Sequence, residues 1–314
     1  MTKIQVMETM QENPKAIQKT YTAVPISEST YDKVKTYYNI AGPDYETWSR
    51  NFNMHFGYCK SLANIFFLEK MLVNMNEEVL KRLKIDAAEE SNIADLGCGV
   101  GTVARYAAKK YPFARITGVT IADYQIEKGR SLNEKEGFTN KVVLIKENFE
   151  HLHFGNETFS HAYALESACH ANGSGKQLFI SEMARVLKPG GRFCIADGFL
   201  KHDGKLPRFF SFLYKKILKY WALPCFGNIH EFEAGLKENG LDNITIKEIS
   251  LRIAPSVAYV PWTCIKFFAK EIWKNKGLHM EKERWYNVYG PILGMILGLY
   301  RNHFGYYIIS GEKK

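Results

Sequence analysis

Three glycines lie where a predicted strand runs into a predicted helix. Residues 95–101 read Asp-Leu-Gly-Cys-Gly-Val-Gly, and glycines at such a junction let the backbone approach a ligand with no Cβ in the way. The dinucleotide motif Gly-x-Gly-x-x-Gly is not completed, because Thr102 stands at its last position. The second predicted strand ends near Thr120, where NAD enzymes carry an acidic residue that binds the ribose. The loop therefore predicts ligand binding and disfavours a pyrophosphate.

Two groups suited to proton transfer follow the predicted fourth strand, His161–Leu165. Glu166 and His170 come directly after it, and the carboxyl ends of parallel strands face the ligand crevice of an α/β sheet. A carboxylate there could stabilise a cation or remove a proton, and an imidazole could act as a general base. Structural roles stay open for both: a helix-capping or cofactor-binding carboxylate for Glu166, and a hydrogen-bonded core side chain for His170.

Strands and helices alternate through the middle of the chain, which predicts βαβ units and a parallel sheet with helices on both faces. The predicted strands are Asn92–Leu96, Arg115–Val119, Lys141–Ile145, His161–Leu165 and Arg192–Ala196. The predicted helices between them are Gly101–Lys110, Tyr124–Glu136 and Gly175–Leu187. The fold class is therefore α/β.

Helical segments are predicted on both sides of this core. Ser29–Asn39 and Ser61–Ile85 precede it, with apolar residues at helical spacing. The elements expected after it are a basic, aromatic helix or helix pair at Leu206–Leu223, a helix at His230–Asn239, a strand at Asn243–Leu251, helices over Val257–Tyr300 and a strand at Phe304–Ser310. We expect three parts: an N-terminal cap (1–88), a ligand-binding core (89–200), and a lid with the last strands (201–314).

Composition excludes several classes of protein. Of the 314 residues, 46% are hydrophobic and 24% charged, which is ordinary for a globular chain and unlike collagen or a disordered protein. The six cysteines stand singly, which predicts reduced thiols and no zinc ribbon or disulfide scaffold. Residues 1–20 are polar, without the apolar stretch of a secretory signal, and the run Val288–Tyr300 is about seven residues too short to span a bilayer. A cytoplasmic location is expected.

The glycine loop resembles the first motif of class I S-adenosylmethionine-dependent methyltransferases. Residues 118–125 (Gly-Val-Thr-Ile-Ala-Asp-Tyr-Gln) resemble the stretch where the second strand of that family meets its helix. Residues 187–192 (Leu-Lys-Pro-Gly-Gly-Arg) resemble the motif before the fifth strand, and residues 304–309 the last, antiparallel strand. The resemblance implies a Rossmann-like seven-stranded methyltransferase sheet with N-terminal helices and a late helical lid. It also implies S-adenosyl-L-methionine as the cofactor, and no metal site is expected.

A finer resemblance is to sterol and tocopherol C-methyltransferases, cyclopropane-fatty-acid synthases and prenyl-diphosphate C-methyltransferases. Residues 37–39, 44–48 and 54–58 resemble the segment that closes over the cofactor there, and residues 165–171 (Leu-Glu-Ser-Ala-Cys-His-Ala) resemble a run of the sterol enzymes. The cofactor-binding residues that the resemblance implies are Tyr38, His55, Asp95, Gly97, Gly99, Gly101, Thr120, Ile121, Gln125, Asn148 and Phe149. The catalytic residues that it implies are Glu166, His170 and Tyr38.

The sequence departs from the family pattern at two places. Ala122 replaces a serine whose hydroxyl could cap the following helix, and Asp123 is the expected substitute. Residues 147–148 are Glu-Asn where the family has Gly-Asp before the adenine. The amide oxygen of Asn148 can still accept a bond from the adenine amino group, so altered rather than lost binding is expected.

Methylation of an alkene carbon needs a dry pocket whose aromatic faces or carboxylate stabilise a carbocation. The aromatic residues expected as walls are Tyr37, Tyr38, Trp48, Tyr58, Phe209, Phe212, Tyr214 and Trp221, with core packing as the alternative for each. A nucleic-acid substrate is disfavoured, because residues 164–167 (Ala-Leu-Glu-Ser) lack the Asx-Pro-Pro-aromatic motif of amino methylation. Pro224-Cys225, the dipeptide that pyrimidine C5-methylation requires, lies in the lid rather than after the fourth strand.

Most of the net charge of +9 lies in the lid, since residues 201–314 hold 18 Lys or Arg against 10 Asp or Glu. Cations on the lid could bind a diphosphate, which favours a prenyl diphosphate such as geranyl or farnesyl diphosphate as the lipophilic substrate. The lid cations singled out are Arg208, Lys215, Lys216 and Lys219. A solvated helix face, a weak contact with an anionic membrane surface, a sterol-like acceptor and O- or N-methylation of a small molecule stay open, as does a homo-oligomer.

Overall fold

A twisted α/β sheet forms the centre of the computed structural model, which describes residues 28–275 and 279–314. The strands are β1 (Ser91–Leu96), β2 (Ala114–Thr120), β3 (Val142–Lys146), β4 (Phe159–Leu165), β5 (Leu187–Leu200), β6 (Gly227–Asn228), β7 (Leu241–Glu248) and β8 (Phe304–Lys313). The helices are α1 (Glu28–Ala41), α2 (Tyr45–Trp48), α3 (Leu68–Leu83), α4 (Thr102–Lys110), α5 (Asp123–Glu136), α6 (Gln177–Val186), α7 (Arg208–Tyr220), α8 (Ile229–Glu238), α9 (Ser250–Val257), α10 (Val260–Asn275) and α11 (Lys282–Gly298).

Seven strands follow the order β3-β2-β1-β4-β5-β8-β7, and the two-residue β6 pairs with the end of β5. Strands β1 to β5 are parallel, whereas β8 runs antiparallel between β5 and β7. The predicted Rossmann-like sheet is therefore confirmed, with β6 as an addition. The order reverses between β1 and β4, and a crevice at the carboxyl ends of the strands at such a point is where α/β sheets bind ligands.

Successive strand residues point to opposite faces of the sheet, and each face has its own apolar core. On one face, Ile116 and Tyr163 pack with Leu80 of α3 and Ala104 of α4. On the other face, residues such as Phe193 and Ile309 pack with Phe179 of α6 and Phe232 of α8. Burying each of these large side chains contributes about 1.5–3 kcal/mol, so the sheet is a firm base for the loops at its carboxyl edge.

A third apolar cluster holds the lid together. Leu213 and Ile217 of α7 pack with Leu297 of α11, and Phe226 and Phe304 complete the cluster. Residues 206–223 contain the single helix α7 and not a helix pair. The predicted helical region 257–300 is divided into α10 and α11, with residues 276–278 outside the described part of the chain. No described helix combines the length and the hydropathy needed to cross a bilayer.

Two predicted elements have different bounds in the structure. The predicted helix Ser61–Ile85 is broken: a 3₁₀ turn covers Leu62–Phe66, and α3 starts only after Phe67, which is extended at φ −130° and ψ 87°. The buried side-chain amide of Asn74 donates to Oδ1 of Asn64, a bond that joins the turn to α3.

The predicted strand Asn243–Leu251 is shifted towards the amino terminus. Strand β7 begins at Leu241 and ends at Glu248, and Ser250 already belongs to α9. The hydroxyl of Ser250 accepts a bond from the backbone N–H of Tyr306 in the neighbouring strand β8. Ser250 therefore contacts the sheet through its side chain and not through strand pairing. The prediction for residues 1–20 lies outside the described residues.

Candidate functional site

The glycine loop connects β1 to α4 as a left-handed turn. Gly97, Gly99 and Gly101 have φ values of 90°, 53° and 75°, a region that residues with a Cβ rarely adopt. A Cβ on Gly97 would lie 2.3 Å from the Cβ of Ser167. The backbone N–H groups of Gly97 and Cys98 both donate to the carbonyl oxygen of Val119, at 3.0 and 2.9 Å, which fixes the loop against β2.

The glycine loop faces a cavity, here called the loop cavity. Ten of the eleven predicted cofactor-binding residues line it. These are Tyr38, His55, Asp95, Gly97, Gly99, Thr120, Ile121, Gln125, Asn148 and Phe149. Gly101 is the exception: it lies behind the loop, where a Cβ would meet the side chain of Leu144 at 3.1 Å. Its place in the motif is explained by its left-handed conformation as the N-cap of α4, not by contact with the cavity.

The start of α5 is capped differently from the prediction. Asp123 makes no cap bond; its carboxylate instead forms ion pairs with Lys35 and Lys146 at the surface. The backbone N–H of Tyr124 donates to Oδ1 of Asn39 at 3.1 Å, so a side chain from α1 closes the helix end. Sequence reasoning missed this role of Asn39, because the bond joins residues 85 positions apart.

Two polar side chains that line the loop cavity already accept hydrogen bonds from other groups of the protein. Oδ1 of Asn148 accepts the backbone N–H of Glu150 at 2.9 Å, which leaves one lone pair of that oxygen for a ligand. The carboxyl group of Asp95 is buried and accepts a 2.7 Å bond from the Tyr163 hydroxyl. Burial raises the pKa of Asp95 to about 7, although the bond from Tyr163 opposes the shift.

Tyr38 and His170 are in direct contact, which sequence analysis did not predict. The Tyr38 hydroxyl lies 2.9 Å from Nε2 of His170. Burial lowers the pKa of His170 to about 4, and the positive charge of Lys176 adds to the shift, so the imidazole is neutral at pH 7. Its Nδ1 is buried and has no hydrogen-bond partner among the described residues. His55 is likewise neutral, with its pKa lowered to about 4 by burial.

Glu166 occupies the turn after β4 in a strained left-handed conformation with φ 51°. Its backbone N–H bonds to the carbonyl of Ala196, and its Oε1 accepts bonds from the Phe56 N–H at 2.7 Å and the Tyr306 hydroxyl at 2.8 Å. Burial raises the pKa of Glu166 to about 8, while these two bonds lower it. The carboxyl group is therefore held at a defined place and is largely protonated at pH 7.

Asp197 and Lys176 belong to the same neighbourhood and were missed from the sequence. Asp197, within β5, accepts the backbone N–H of Cys169 at 2.8 Å, and burial raises its pKa to about 6. The ammonium of Lys176 is buried and donates to the carbonyls of Cys169, Ala171 and Cys225. A buried acid near the carboxyl end of a strand was a usable signal for Asp197; no local pattern marked Lys176.

A second and larger cavity of about 550 Å³, here called the lid cavity, lies between the sheet and helices α9 to α11. Its walls are largely apolar and come from the lid, from α2 and from β5 and β8. Five residues line both cavities and form their junction: Tyr38, Met54, His55, Glu166 and His170. A ligand bound in the loop cavity and a ligand bound in the lid cavity would therefore meet at Glu166.

Of the eight aromatic residues predicted as walls, Tyr38, Trp48 and Trp221 line the lid cavity. The prediction is wrong for the other five: Phe209 and Phe212 are exposed, and Tyr37, Tyr58 and Tyr214 pack elsewhere. Aromatic residues that sequence analysis did not single out complete the walls: Tyr45, Phe56, Phe199, Phe226, Phe267, Phe304 and Tyr306. The indole of Trp221 fits because α11 has glycines beside it; a Cβ on Gly290 would lie 2.5 Å from its Nε1.

The predicted diphosphate-binding cations of the lid do not line either cavity. Lys215 and Lys219 are exposed, as is Arg208, and Lys216 lies over the ring of Phe212. Among the described residues that line the lid cavity there is no lysine or arginine. The reason is helical geometry: α7 turns its apolar face, with Leu213 and Ile217, towards α11, so its charged face is directed outwards.

Comparison with known proteins identifies what this arrangement is similar to. Residues 93–191 match the model of a family described as a methyltransferase domain. Methyltransferase GfsG of Streptomyces halstedii is 28% identical over 204 residues, which are 65% of this chain and 71% of that protein. The 24-methylenesterol C-methyltransferase 2 of Oryza sativa subsp. japonica is 29% identical over 246 residues, which are 77% of this chain and 63% of that protein. The match thus spans less than two thirds of the rice protein's length.

Solved structures are similar over most of the chain. The cyclopropane synthase MmaA2 from Mycobacterium tuberculosis superposes with a TM-score of 0.77 at 14% identity, covering 90% of this chain and 98% of that one. The geranyl diphosphate C-methyltransferase from Streptomyces coelicolor A3(2), crystallised with Mg²⁺, geranyl diphosphate and S-adenosyl-L-homocysteine, gives 0.68 at 15% identity, covering 92% and 99%. At these identities the similarity shows the fold.

Proposed function

We propose that this chain, which carries a class I S-adenosylmethionine-dependent methyltransferase domain at residues 93–191, methylates an alkene carbon of a neutral, lipophilic isoprenoid. The observation that carries the proposal is the junction of the two cavities at Tyr38, Met54, His55, Glu166 and His170. One cavity has the features of a cofactor site and the other is large and apolar. A carboxyl group and three polar rings, those of Tyr38, His55 and His170, lie where their occupants would meet.

The residues of the loop cavity fit S-adenosylmethionine. A Cβ on Gly99 would meet the side chain of Met54, with Sδ nearest at 3.1 Å, and Gly99 itself lines the loop cavity. Asp95 and the glycines would hold the amino acid and ribose parts, and Asn148 with Phe149 the adenine. The cofactor supplies an electrophilic methyl group that an alkene can attack without prior activation.

Glu166 would handle the charge that such an attack creates. When the alkene π electrons form the new carbon–carbon bond, the bond between the methyl group and the cofactor's sulfur would break with its electron pair left on sulfur, and the neighbouring alkene carbon would become cationic. A nearby positive charge lowers the pKa of a carboxyl group, so the cation would be stabilised by the molecules in which Glu166 is already a carboxylate, a minority at pH 7. Both hydrogen bonds to the carboxyl group end on Oε1, which leaves Oε2 to accept a C–H proton, while that C–H electron pair forms the new double bond.

The lid cavity favours a neutral acceptor over a prenyl diphosphate. A bound diphosphate would need cations or a metal to offset its desolvation, and no described lysine or arginine lines this cavity. Its charged members are acidic, and one of them, Asp44, is already paired with Arg284. The volume of about 550 Å³ and the aromatic walls suit the ring system or the extended chain of an isoprenoid.

N-methylation of a lipophilic amine is the second candidate function. The specific observation in its favour is that the carboxyl groups of Glu166 and Asp197 line a largely apolar cavity. A carboxylate attracts an ammonium, and aromatic faces add cation–π attraction. This candidate differs from the first in its readout, since methylation of nitrogen adds a methyl group without removing a C–H proton from carbon.

Mass spectrometry with a trideuteromethyl cofactor tests the proposal. Purified protein is incubated with a panel of a sterol that has a side-chain alkene, farnesol, farnesyl diphosphate and a lipophilic tertiary amine. The expected result is a product heavier by one deuterated methyl group from a neutral alkene. The triple variant Lys215→Gln/Lys216→Gln/Lys219→Gln is the matched control and should methylate this acceptor at the wild-type rate. These three lysines are exposed or lie over a surface ring.

Two outcomes would overturn the proposed acceptor class. Turnover of farnesyl diphosphate in preference to farnesol and the sterol would restore the anionic substrate. Exclusive methylation of the amine would establish the second candidate instead. The position of the deuterated methyl group, read by fragmentation, separates carbon from nitrogen methylation in either case.

A further inference from the structure

Helix α10 has an apolar stripe on its solvent side. Trp262, Ile265, Ile272 and Trp273 are each more than half exposed, and Trp273 is 90% exposed. At about 100° per residue these positions span about 100° of the helix circumference. Large apolar side chains in contiguous exposure are uncommon on a soluble protein and indicate a surface that binds something.

Three lysines run along one border of this stripe. Lys266, Lys270 and Lys274 are spaced by four residues, so they form a single row on the helix. Lys266 lies 3.3 Å from the carbonyl of Thr47, and Lys270 forms an exposed ion pair with Glu46. The stripe with its lysine row has the composition of an interfacial helix, in which tryptophans enter the headgroup region and lysines face anionic lipids.

The opposite side of the same helix forms part of the lid cavity. Val260, Thr263, Cys264 and Phe267 line that cavity from α10. The helix therefore separates the apolar cavity from the exposed stripe by its own thickness, about 10 Å. A lipophilic acceptor dissolved in a bilayer under the stripe would have only this helix between it and the cavity.

A second exposed apolar group lies next to the amino end of α10. The 3₁₀ turn exposes Leu62 and Phe66, and Phe67 follows directly. The hydroxyl of Tyr259, the residue before α10, donates a 2.8 Å hydrogen bond to the carbonyl of Ile65 and ties the turn to the helix. The exposed apolar surface thus extends from the stripe onto an adjoining turn.

We infer that the stripe of α10, with its lysine row and the adjoining turn, docks the protein on a lipid bilayer that contains anionic headgroups, from which the acceptor enters the lid cavity. The inference rests on the proposed function for the identity of the acceptor, but the docking itself does not depend on that function. The helix lies in the plane of the interface, consistent with its 16 residues and its charged row.

Vesicle co-sedimentation of the full chain without cofactor tests the docking. The protein should sediment with phosphatidylcholine vesicles that contain phosphatidylserine, and less at high salt or without phosphatidylserine. The double variant Trp262→Ser/Trp273→Ser should lower the partition coefficient by about tenfold or more, because the aromatic anchors are lost. Changing Lys266, Lys270 and Lys274 to Gln should remove the preference for phosphatidylserine.

Phe113→Ser is the matched control. Phe113 is 56% exposed, yet it precedes the amino end of β2 and is therefore at the sheet edge opposite the site. Equal vesicle binding by wild type and Phe113→Ser is expected. Unchanged cofactor affinity of the tryptophan variant, measured by calorimetry, establishes that it is folded.

Two results would overturn the inference: no binding of the wild type to either vesicle, or equal binding by the tryptophan variant. In the first case, a wild-type dimer in ultracentrifugation that this variant dissolves would show that the stripe is a dimer interface instead. Methyl transfer separates this inference from the proposed function. The tryptophan variant should act normally on acceptor dispersed in detergent and slowly on acceptor embedded in vesicles. Vesicle docking without any methylation of an isoprenoid would contradict the proposed function and leave the docking intact.

Discussion

The phenol of Tyr306 donates a 2.8 Å hydrogen bond to Oε1 of Glu166, although 140 positions separate the two residues. Tyr306 lies on β8, the strand that runs antiparallel beside β5, and Glu166 follows β4 on the other side of β5. The last strand of the chain therefore holds the central carboxyl group of the site. A change in Tyr306 should act on Glu166 rather than on the fold, which makes the pair suited to experiment.

Glu166→Gln should lower kcat by about 10²–10⁴, the range of acid–base groups, while the cofactor dissociation constant changes little. Glutamine keeps the size of the side chain and its hydrogen bond from Tyr306, and it removes the charge and the basicity. Steady-state kinetics and calorimetry give the two quantities. Loss of cofactor affinity with normal turnover at saturation would show a binding role instead. Normal values for both would transfer the catalytic role to His170 or Tyr38.

Tyr306→Phe should displace the pH profile of kcat/KM. In the proposed reaction the carboxylate of Glu166 is the active form, so activity should rise with pH as the pKa of this group, about 8 in the folded protein, is passed. The Tyr306 bond lowers that pKa, and its removal should move the rise to higher pH by about one unit. Tyr106→Phe on α4, which loses a bond to Glu77 of α3, is the control and should keep the wild-type profile. Coinciding profiles would mean that Glu166 does not limit the reaction.

Glu166 should also make the stability of the protein depend on pH. Its pKa is about 8 in the folded protein and 4.5 for an ordinary glutamate, so between these values the folded state keeps a proton that the unfolded state has lost. The free energy of unfolding of the wild type therefore decreases as pH rises from about 5 to about 8, and the contribution of Glu166 to this decrease should be absent in Glu166→Gln. Melting temperatures of both proteins across this interval measure the difference. Parallel curves would contradict the raised pKa.

Gly99→Val should abolish cofactor binding, because a branched side chain would enter the loop cavity. Gly137→Val is a stringent control, since Gly137 shares the left-handed backbone, with φ 75° against 53°, and has nothing within 4 Å of a Cβ. Both variants carry a backbone penalty on the order of 1–2 kcal/mol, and only the first obstructs the cavity. Calorimetric titration with S-adenosylmethionine compares them. Equal affinities in folded proteins would remove the loop from the cofactor site.

Lys176→Met should destabilise the protein by about 3 kcal/mol. The buried ammonium bonds the carbonyls of Cys169, Ala171 and Cys225, and a methionine would leave these acceptors without a donor. Since Cys225 follows α7 and Cys169 precedes His170, the lid and the turn after β4 should loosen together. Urea unfolding measures the loss, with Lys188→Met at an exposed position as the control. A loss of stability equal to that of the control would show that water donates to the three carbonyl groups in place of the ammonium.

The sequence alone determined the core of this protein. The parallel strands, their helices and the left-handed loop at residues 95–101 follow from periodicity and from glycine spacing, which are local properties of the chain. Ten of the predicted cofactor residues line one cavity because each lies at the carboxyl end of a strand or in the covering segment, and the sheet brings those ends together. Only Gly101 lies apart.

Tertiary structure alone decided what surrounds the reacting groups. The bond from Tyr306 to Glu166 and the cap that Asn39 provides for α5 both join residues that are far apart in the chain. No local sequence pattern indicates that carbonyl groups surround Lys176. The direction of the lid cations depended on which face of α7 packs against α11. The sequence pattern predicts an apolar face and a charged face for a helix, but the element that packs on the apolar face determines which charges remain in solvent.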